Sequence, residues 1–487
     1  MAKIDDMAFV DATAQADLVR RGEVRASELV EAAIERIEGV NPALNAVITP
    51  MYEQARKAAA GELPNGTFAG VPFLLKDLVA SCSGVPMASG AAVLRDFVAD
   101  HDSELVVRLR KAGLIFVGLT NTPELGCHAT TEPRLFGPTR NPWDTARIPG
   151  GSSGGAAAAV ASGMVPMAHG NDAGGSIRMP ASCCGVFGLK PTRGRNPLGP
   201  DLGDVMGGLL AEHALTRSVR DSAALLDLTA GPDAGAPYWA ALPERPFVQE
   251  VGADPGSLRI AFATRTLKGA EVHADCVRAV HEAAQLCQDL GHEVVEAHPD
   301  LDGELVERTF DAVFSAGMAA AIDGIARDRG RTFTADDFEP LTWYMYEKGC
   351  GVSSADYLLA VGTLQKLSRD MARFFSACDI WLTPTLAEPP VPLGTFDFSR
   401  FNSSQEGLER VLASMPFTQI FNATGQPAMS VPLFWNAENL PVGTHFAGRY
   451  GDEATLFRLA GQLEEARPWA IRRPPVAAGR GLNSTGS

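Results

Sequence analysis

Gly150-Gly151-Ser152-Ser153-Gly154-Gly155, followed by Gly170-Asn171-Asp172-Ala173-Gly174-Gly175-Ser176-Ile177-Arg178-Met179-Pro180-Ala181, organises everything around it. Glycine permits turns and close approaches that a Cβ blocks. Each loop therefore presents very few side chains: Ser152 and Ser153 in the first, Ser176 in the second. Residues 156–162 continue the first loop as a helix. The plain reading of either loop alone is a tight turn with a solvated serine. A phosphate-binding loop would need Gly-Lys-Ser/Thr, which does not follow. Asp172 and Arg178 flank the second loop and can pair to hold it, and its backbone N–H groups can converge on an oxyanion.

A third segment supplies a base. Gly70-Val71-Pro72-Phe73-Leu74-Leu75-Lys76-Asp77 is an apolar run closed by lysine, and residues 70–80 read as a buried strand bearing Lys76. A serine hydroxyl is a weak nucleophile until a base takes its proton. A free lysine, with a pKa of ~10.4, is protonated at neutral pH. Desolvation favours the neutral amine, and the apolar run before Lys76 provides it. Asp77 would oppose this, but neighbouring strand residues point to opposite faces. Alone, Lys76 reads as a snorkelling lysine at a strand end. With the two serine loops it reads as the base of a serine hydrolase that uses lysine in place of histidine.

The surrounding pattern is α/β. The chain has 487 residues, long for one core given usual domains of roughly 50–250. At 46% hydrophobic and 21% charged it can bury a large core. Residues 8–60 look helical: Ser27 can cap a helix with Leu29, Val30, Ala33, Ile34 and Ile37 on one face, and Gly39 is a natural stop. A helix begins at His101-Asp102-Ser103, and residues 114–117 return as a strand. Strand 258–262, helix 275–290 and strand 293–296 form a βαβ-like unit. Residues 300–378 are mainly helical, strands are expected at 380–383, 428–431 and 444–447, and a last helix covers 453–465. No repeat or linker is visible. The expectation is one domain over residues 1–473, with a helical segment (about 8–60), a catalytic core (about 65–230) and an elaboration (about 300–420), then a mobile tail at 474–487.

The net charge of −16 repels phosphate backbones, so no nucleic-acid partner is expected. The cysteines at 82, 127, 183, 184, 276, 287, 350 and 378 show no zinc-type spacing. Cys183-Cys184 reads as small apolar packing. No signal peptide is visible at the N-terminus, and the uncharged stretch 149–171 is broken by Pro166 and poor in Leu and Ile. A reduced, cytoplasmic protein without a membrane partner is expected. A homodimer is left open.

Together these motifs resemble the amidase signature family. Thr120-Asn121-Thr122-Pro123-Glu124, Gly425-Gln426-Pro427-Ala428-Met429-Ser430-Val431-Pro432 and Leu440-Pro441-Val442-Gly443 extend the resemblance from about residue 8 to 468. It implies a large mixed β-sheet covered by helices on both faces. It also implies an amide hydrolase with Ser176 as acylated nucleophile, Ser152 as bridge after a cis Gly151–Ser152 peptide, and Lys76 as base. The N–H groups of Ala173, Gly174 and Gly175, with that of Ser176, would form the oxyanion hole. No metal or cofactor is required. Cys127, His128 and Ser153 are candidate substrate contacts, with local packing the bland alternative for the first two. Asp11-Ala12-Thr13-Ala14-Gln15-Ala16, Thr130-Thr131-Glu132-Pro133, Thr139-Arg140-Asn141-Pro142-Trp143 and Leu189-Lys190-Pro191-Thr192-Arg193-Gly194-Arg195 look most like the branch that hydrolyses the 6-aminohexanoate cyclic dimer. They are scaffold motifs and leave linear, cyclic and aryl amides, carbamates and esters open.

Three rivals stand beside this. Gly150-Gly151-Ser152-Ser153-Gly154 satisfies G-x-S-x-G of the α/β-hydrolases, which would need a preceding strand and a late histidine, here His445. The chain also resembles, more generally, the amidase subunit of a tRNA-dependent amidotransferase. A catalytically dead homologue is the third, and retention of Lys76, Ser152 and Ser176 together argues against it.

Overall fold

The apolar runs before Lys76 and after residue 114 become neighbouring strands of a single sheet. A computed structural model describes residues 4–479 of the chain. Its strands are β1 Val47–Pro50, β2 Pro72–Lys76, β3 Ile115–Thr120, β4 Met167–Asp172, β5 Phe187–Lys190, β6 Ala211–Thr216, β7 Arg259–Phe262, β8 Glu293–Glu296, β9 Ile380–Pro384, β10 Ala428–Trp435 and β11 Pro441–Gly448. Its first helices are α1 Ala12–Arg20, α2 Ala26–Leu44, α3 Tyr52–Ala60, α4 Glu104–Lys111, α5 Gly154–Ala161, α6 Arg178–Cys184 and α7 Val219–Thr229. They are followed by α8 Ala274–Asp289, α9 Gly303–Arg329, α10 Pro340–Cys350, α11 Ser354–Phe374, α12 Ser404–Ser414, α13 Gln419–Thr424 and α14 Glu453–Ala466.

The strand order is β1-β3-β2-β4-β6-β5-β10-β11-β9-β7-β8. β2 runs parallel to β3 and β4, β4 pairs antiparallel with β6, and β7 runs parallel to β8 across α8. Strand alternation explains the helices on both faces. Leu74 and Ala168 pack with α2 and α5, while Phe73, Leu75 and Met167 pack with Leu105, Val106 and Leu225 of α4 and α7. β2 and β4 share a direction, so Lys76 and the Ser176 loop leave the sheet at adjacent carboxyl ends. Open α/β sheets place their ligands at such ends.

α5 lies between the sheet and α2 and is wholly buried glycine, alanine and valine. Its small side chains are required by space. A Cβ on Gly155 would stand 2.6 Å from the Asn121 backbone nitrogen. The start of α5, and with it the first serine loop, is thereby pressed against the turn that follows β3, the strand beside Lys76.

Several expectations need correction. α2 starts at Ala26, capped from Arg25 and not from Ser27, because Glu28 accepts the Arg25 N–H at 2.8 Å. Gly39 does not stop it: a helical glycine costs only about 1 kcal/mol, and Val40 and Leu44 extend the buried face to Asn45 at φ 52°. Residues 8–60 are not helical throughout, since β1 pairs antiparallel with β3 at the sheet edge. The stretch after Pro474 is tied to the body as far as Ala478, through Val476 N–H to Pro142 and Ala478 N–H to Ser162, at 3.2 and 2.8 Å. Residues 480–487 of the expected tail lie outside the described residues. All eight cysteines are free. α9 is long and apolar enough to cross a membrane by length and composition, but it packs on α10 and α11 and buries Phe310, Val313, Met318 and Ile322.

Candidate active site

Lys76 is fully buried at the end of β2. Its Nζ lies 2.6 Å from Ser152 Oγ, 2.6 Å from Asn171 Oδ1 and 3.1 Å from Ser153 Oγ. The neighbours dictate the direction of these bonds. Asn171 Nδ2 donates to the Leu78 carbonyl at 3.1 Å, which leaves Oδ1 to accept from lysine. Ser153 donates its hydroxyl to the Asn171 carbonyl at 3.3 Å, so its oxygen also accepts. Two N–H bonds of Lys76 are thus spent. The third tetrahedral position faces Ser152, where an ammonium holds a proton and a neutral amine holds its lone pair. Burial pushes the amine down to about 7, against the opposing charges of Glu212 and Asp172. Asp77 points the other way, accepting from the N–H groups of Ala88 and Gly90.

The Gly151–Ser152 peptide is cis. Ser152 and Ser176 both line one cavity, and the Ser153 N–H donates to the Ser176 carbonyl at 3.2 Å. Among the described residues no hydrogen bond joins the two serine hydroxyls directly.

The second loop is held by an ion pair. Asp172 and Arg178 are both fully buried and meet at 2.9 Å. Asp172 also accepts the N–H groups of Gly175 and Ile177 and the Asn422 amide. Burial would raise the Asp172 carboxyl, but Arg178 outweighs it and holds it well below the usual carboxylate range. This network corrects one expectation. The Gly175 N–H is committed to Asp172 at 2.7 Å, so it is not available to an oxyanion. Among the described residues the N–H groups of Ala173, Gly174 and Ser176 have no protein acceptor. Gly175 serves by shape instead. It sits at φ +136°, and a Cβ there would stand 2.4 Å from Thr418 Oγ1. Gly175→Ala should therefore displace Ser176 and lower kcat/KM by about a hundredfold, with steady-state rates read beside a thermal melt.

The cavity measures about 290 Å³. One side of it is made by Ser152, Asn171, Ala173, Gly174 and Ser176. The opposite wall comes from Phe310, Phe314 and Met318 of α9, Leu341 and Met345 of α10, and Leu408 and Val411 of α12. Glu307 and Asp311 also reach it, each paired with a lysine: Lys268 at 3.0 Å and Lys348 at 2.8 Å. The wall presented to a ligand is apolar.

Cys127 and His128 both line this cavity. His128 sits between Phe396 and Phe398, and burial pushes it down to about 4, so it is neutral. Burial pushes the Cys127 thiol up. Ser153 does not line the cavity: its hydroxyl is used on Lys76 and the Asn171 carbonyl. The α/β-hydrolase rival fails on geometry. Residues 144–149 form no strand. His445 is buried on β11, its Nε2 accepting from Arg178 at 3.1 Å and its Nδ1 3.2 Å from Thr383, and it meets neither serine. Asn171, within the 170–181 stretch, holds the Lys76 amine, a contact not expected from the sequence. A carboxamide beside the Asp172 anchor was the available signal.

The Amidase family model matches residues 28–457. The chain belongs to the amidase signature family. It is an amide hydrolase. It is 40% identical to the 6-aminohexanoate-cyclic-dimer hydrolase of Paenarthrobacter ureafaciens, over 98% of both chains. A solved structure of 6-aminohexanoate cyclic dimer hydrolase superposes with a TM-score of 0.92 at 39% identity, covering 96% of this chain and 99% of that one. The same enzyme complexed with substrate gives 0.91 at 39% identity, with the same coverage. A bacterial aryl acylamidase of the family gives 0.87 at 27% identity, covering 98% and 100%.

Proposed function

We propose that this amidase hydrolyses small uncharged amides through a Lys76–Ser152–Ser176 relay and an acyl-enzyme on Ser176. The observation that carries the proposal is the buried Lys76 amine 2.6 Å from Ser152 Oγ, beside the cavity that Ser176 lines. Neutral Lys76 takes the Ser152 proton as Ser152 takes that of Ser176. Ser176 Oγ bonds to the carbonyl carbon, and the oxyanion is met by the N–H groups of Ala173, Gly174 and Ser176. An oxyanion-hole donor is worth about 2.7–4 kcal/mol where measured, so losing Gly175 from the set is a real change in the design. Collapse breaks the C–N bond, and the proton returns from Lys76 through Ser152 to the leaving nitrogen. Water then attacks the ester by the same relay, releasing the acid and Ser176.

The apolar wall and the lysine-paired acids support uncharged substrates, because an unpaired charge there would be desolvated without compensation. Cyclic amides of the kind named for the relatives fit this class, as do aryl amides. A panel of cyclic, aryl and linear amides tests it. Neutral members should exceed analogues with a free carboxylate or ammonium near the acyl group by at least about tenfold in kcat/KM. Mass spectrometry of the trapped enzyme should place the acyl adduct on Ser176. Equal rates for charged and neutral members would remove the substrate class, and an adduct elsewhere would remove the mechanism.

A further inference from the structure

Behind Lys76 lies a buried polar pair that takes no part in the proposed proton transfers. β2 and β4 meet as a ladder only at Leu74–Ala168. Beyond that point the Lys76 backbone N–H donates to His169 Nδ1, at 3.2 Å, and not to the β4 backbone. Nδ1 must hold a lone pair to accept it, so the imidazole is neutral and its proton sits on Nε2. Nε2 donates to the Glu212 carboxylate of β6. Glu212 is opposite Asn171 in the β4–β6 register, and Asn171 is the residue whose Oδ1 binds the Lys76 amine. His169, Asn171 and Glu212 thus grip Lys76 at both its backbone and its side chain.

The charges around Lys76 are unequal. Asp172 is neutralised by Arg178. Asp77 faces away. β3 and α5, packed on either side, carry no titratable group. Glu212 has only the neutral His169 as side-chain partner, and its second oxygen has none among the described residues. His213, the next residue, turns to Ser222. Of the two described carboxylates whose charge acts on the amine, Glu212 and Asp172, Glu212 is the one without a cation of its own.

We propose that the His169–Glu212 pair is a positioning device for Lys76, anchoring its backbone while the Glu212 charge sets how readily the amine holds a proton. The inference rests on Lys76 being the base. Desolvation drives the amine towards neutrality. Unopposed, it would leave too weak a base, and the Glu212 charge restores basicity near neutral pH.

The test follows the rate of Ser176 labelling by a fluorophosphonate, and kcat/KM on a neutral amide, from about pH 5 to about pH 9, a range that spans the acidic limb. In Glu212→Gln the acidic limb should move down by about one pH unit, because removing the negative charge makes the ammonium harder to keep. Glu212→Asp retains the charge and should keep the limb in place while lowering the rate through the longer reach to His169. A Glu212→Gln limb at the wild-type position would overturn the inference. If Glu212→Gln does not fold, Glu212→Asp decides: a limb displaced downwards despite the retained carboxylate overturns the charge assignment. Lys76→Ala separates the two readings. An active Lys76→Ala enzyme with the wild-type profile would remove the lysine base itself. An inactive one, with an unmoved limb in Glu212→Gln, would remove only the role of the pair.

Discussion

Ser176→Ala is expected to lower kcat/KM by about 10,000-fold or more, the range seen when a hydrolase loses its nucleophile. The substitution removes one oxygen from a loop whose backbone is fixed by Asp172 and Arg178. The fold and the cavity should therefore persist, and binding of a non-hydrolysable amide should survive. Fluorophosphonate labelling must vanish with the activity. Persistent labelling at another serine would contradict the assignment, and Ser152 is the one to watch because it shares the cavity and touches Lys76.

Lys76→Ala is expected to be nearly as damaging, and its pH signature is distinctive. The base acts only when neutral. Burial places its titration at about 7, so kcat/KM in the wild type should fall about tenfold per pH unit below that point. Lys76→Ala should lose this limb along with the rate. The same shift has a sign in stability. The folded chain releases the Lys76 proton at about 7, whereas the ordinary lysine value is 10.5. Between those values the unfolded chain binds a proton that the folded chain does not, so raising the pH stabilises the fold. Below about 7 the folded protein bears the full penalty of a buried ammonium. Lys190, also pushed down to about 7 by burial, adds a slope of the same sign. Denaturant midpoints of Lys76→Ala should accordingly rise less with pH than those of the wild type across this window.

The residues proposed for the relay stand out in the sequence because of what surrounds them. A loop made of glycine leaves its serines conspicuous, and two such loops turn the reading of a lysine after an apolar run from a snorkelling side chain to a candidate base. The sheet followed from short apolar runs, and β8 came out at the very residues expected, Glu293–Glu296. What was not legible depends on distant contacts. The expectation of a substrate contact at Ser153 fails because the fold turns its hydroxyl to Lys76 and the Asn171 carbonyl, whereas Ser152 both touches Lys76 and lines the cavity. The Gly175 N–H looked free until Asp172 took it. The helix start at Ala26 was hidden because a reciprocal bond between Arg25 and Glu28 outcompeted the expected serine cap. β1 was hidden because four residues ending in proline carry little strand signal, and its pairing with β3 supplies the rest.

The far wall of the cavity belongs to α9, α10 and α12, remote in sequence from the relay residues. On the proposed function, much of the wall that would choose the substrate is therefore written apart from the residues that would move the proton. Substitutions at Phe314, Met318 or Met345 can retailor which amide is admitted while proton transfer stays intact. Divergence into new substrates needs only the roof to change, and a chimera that exchanges these helices between relatives would inherit its chemistry from one parent and its diet from the other.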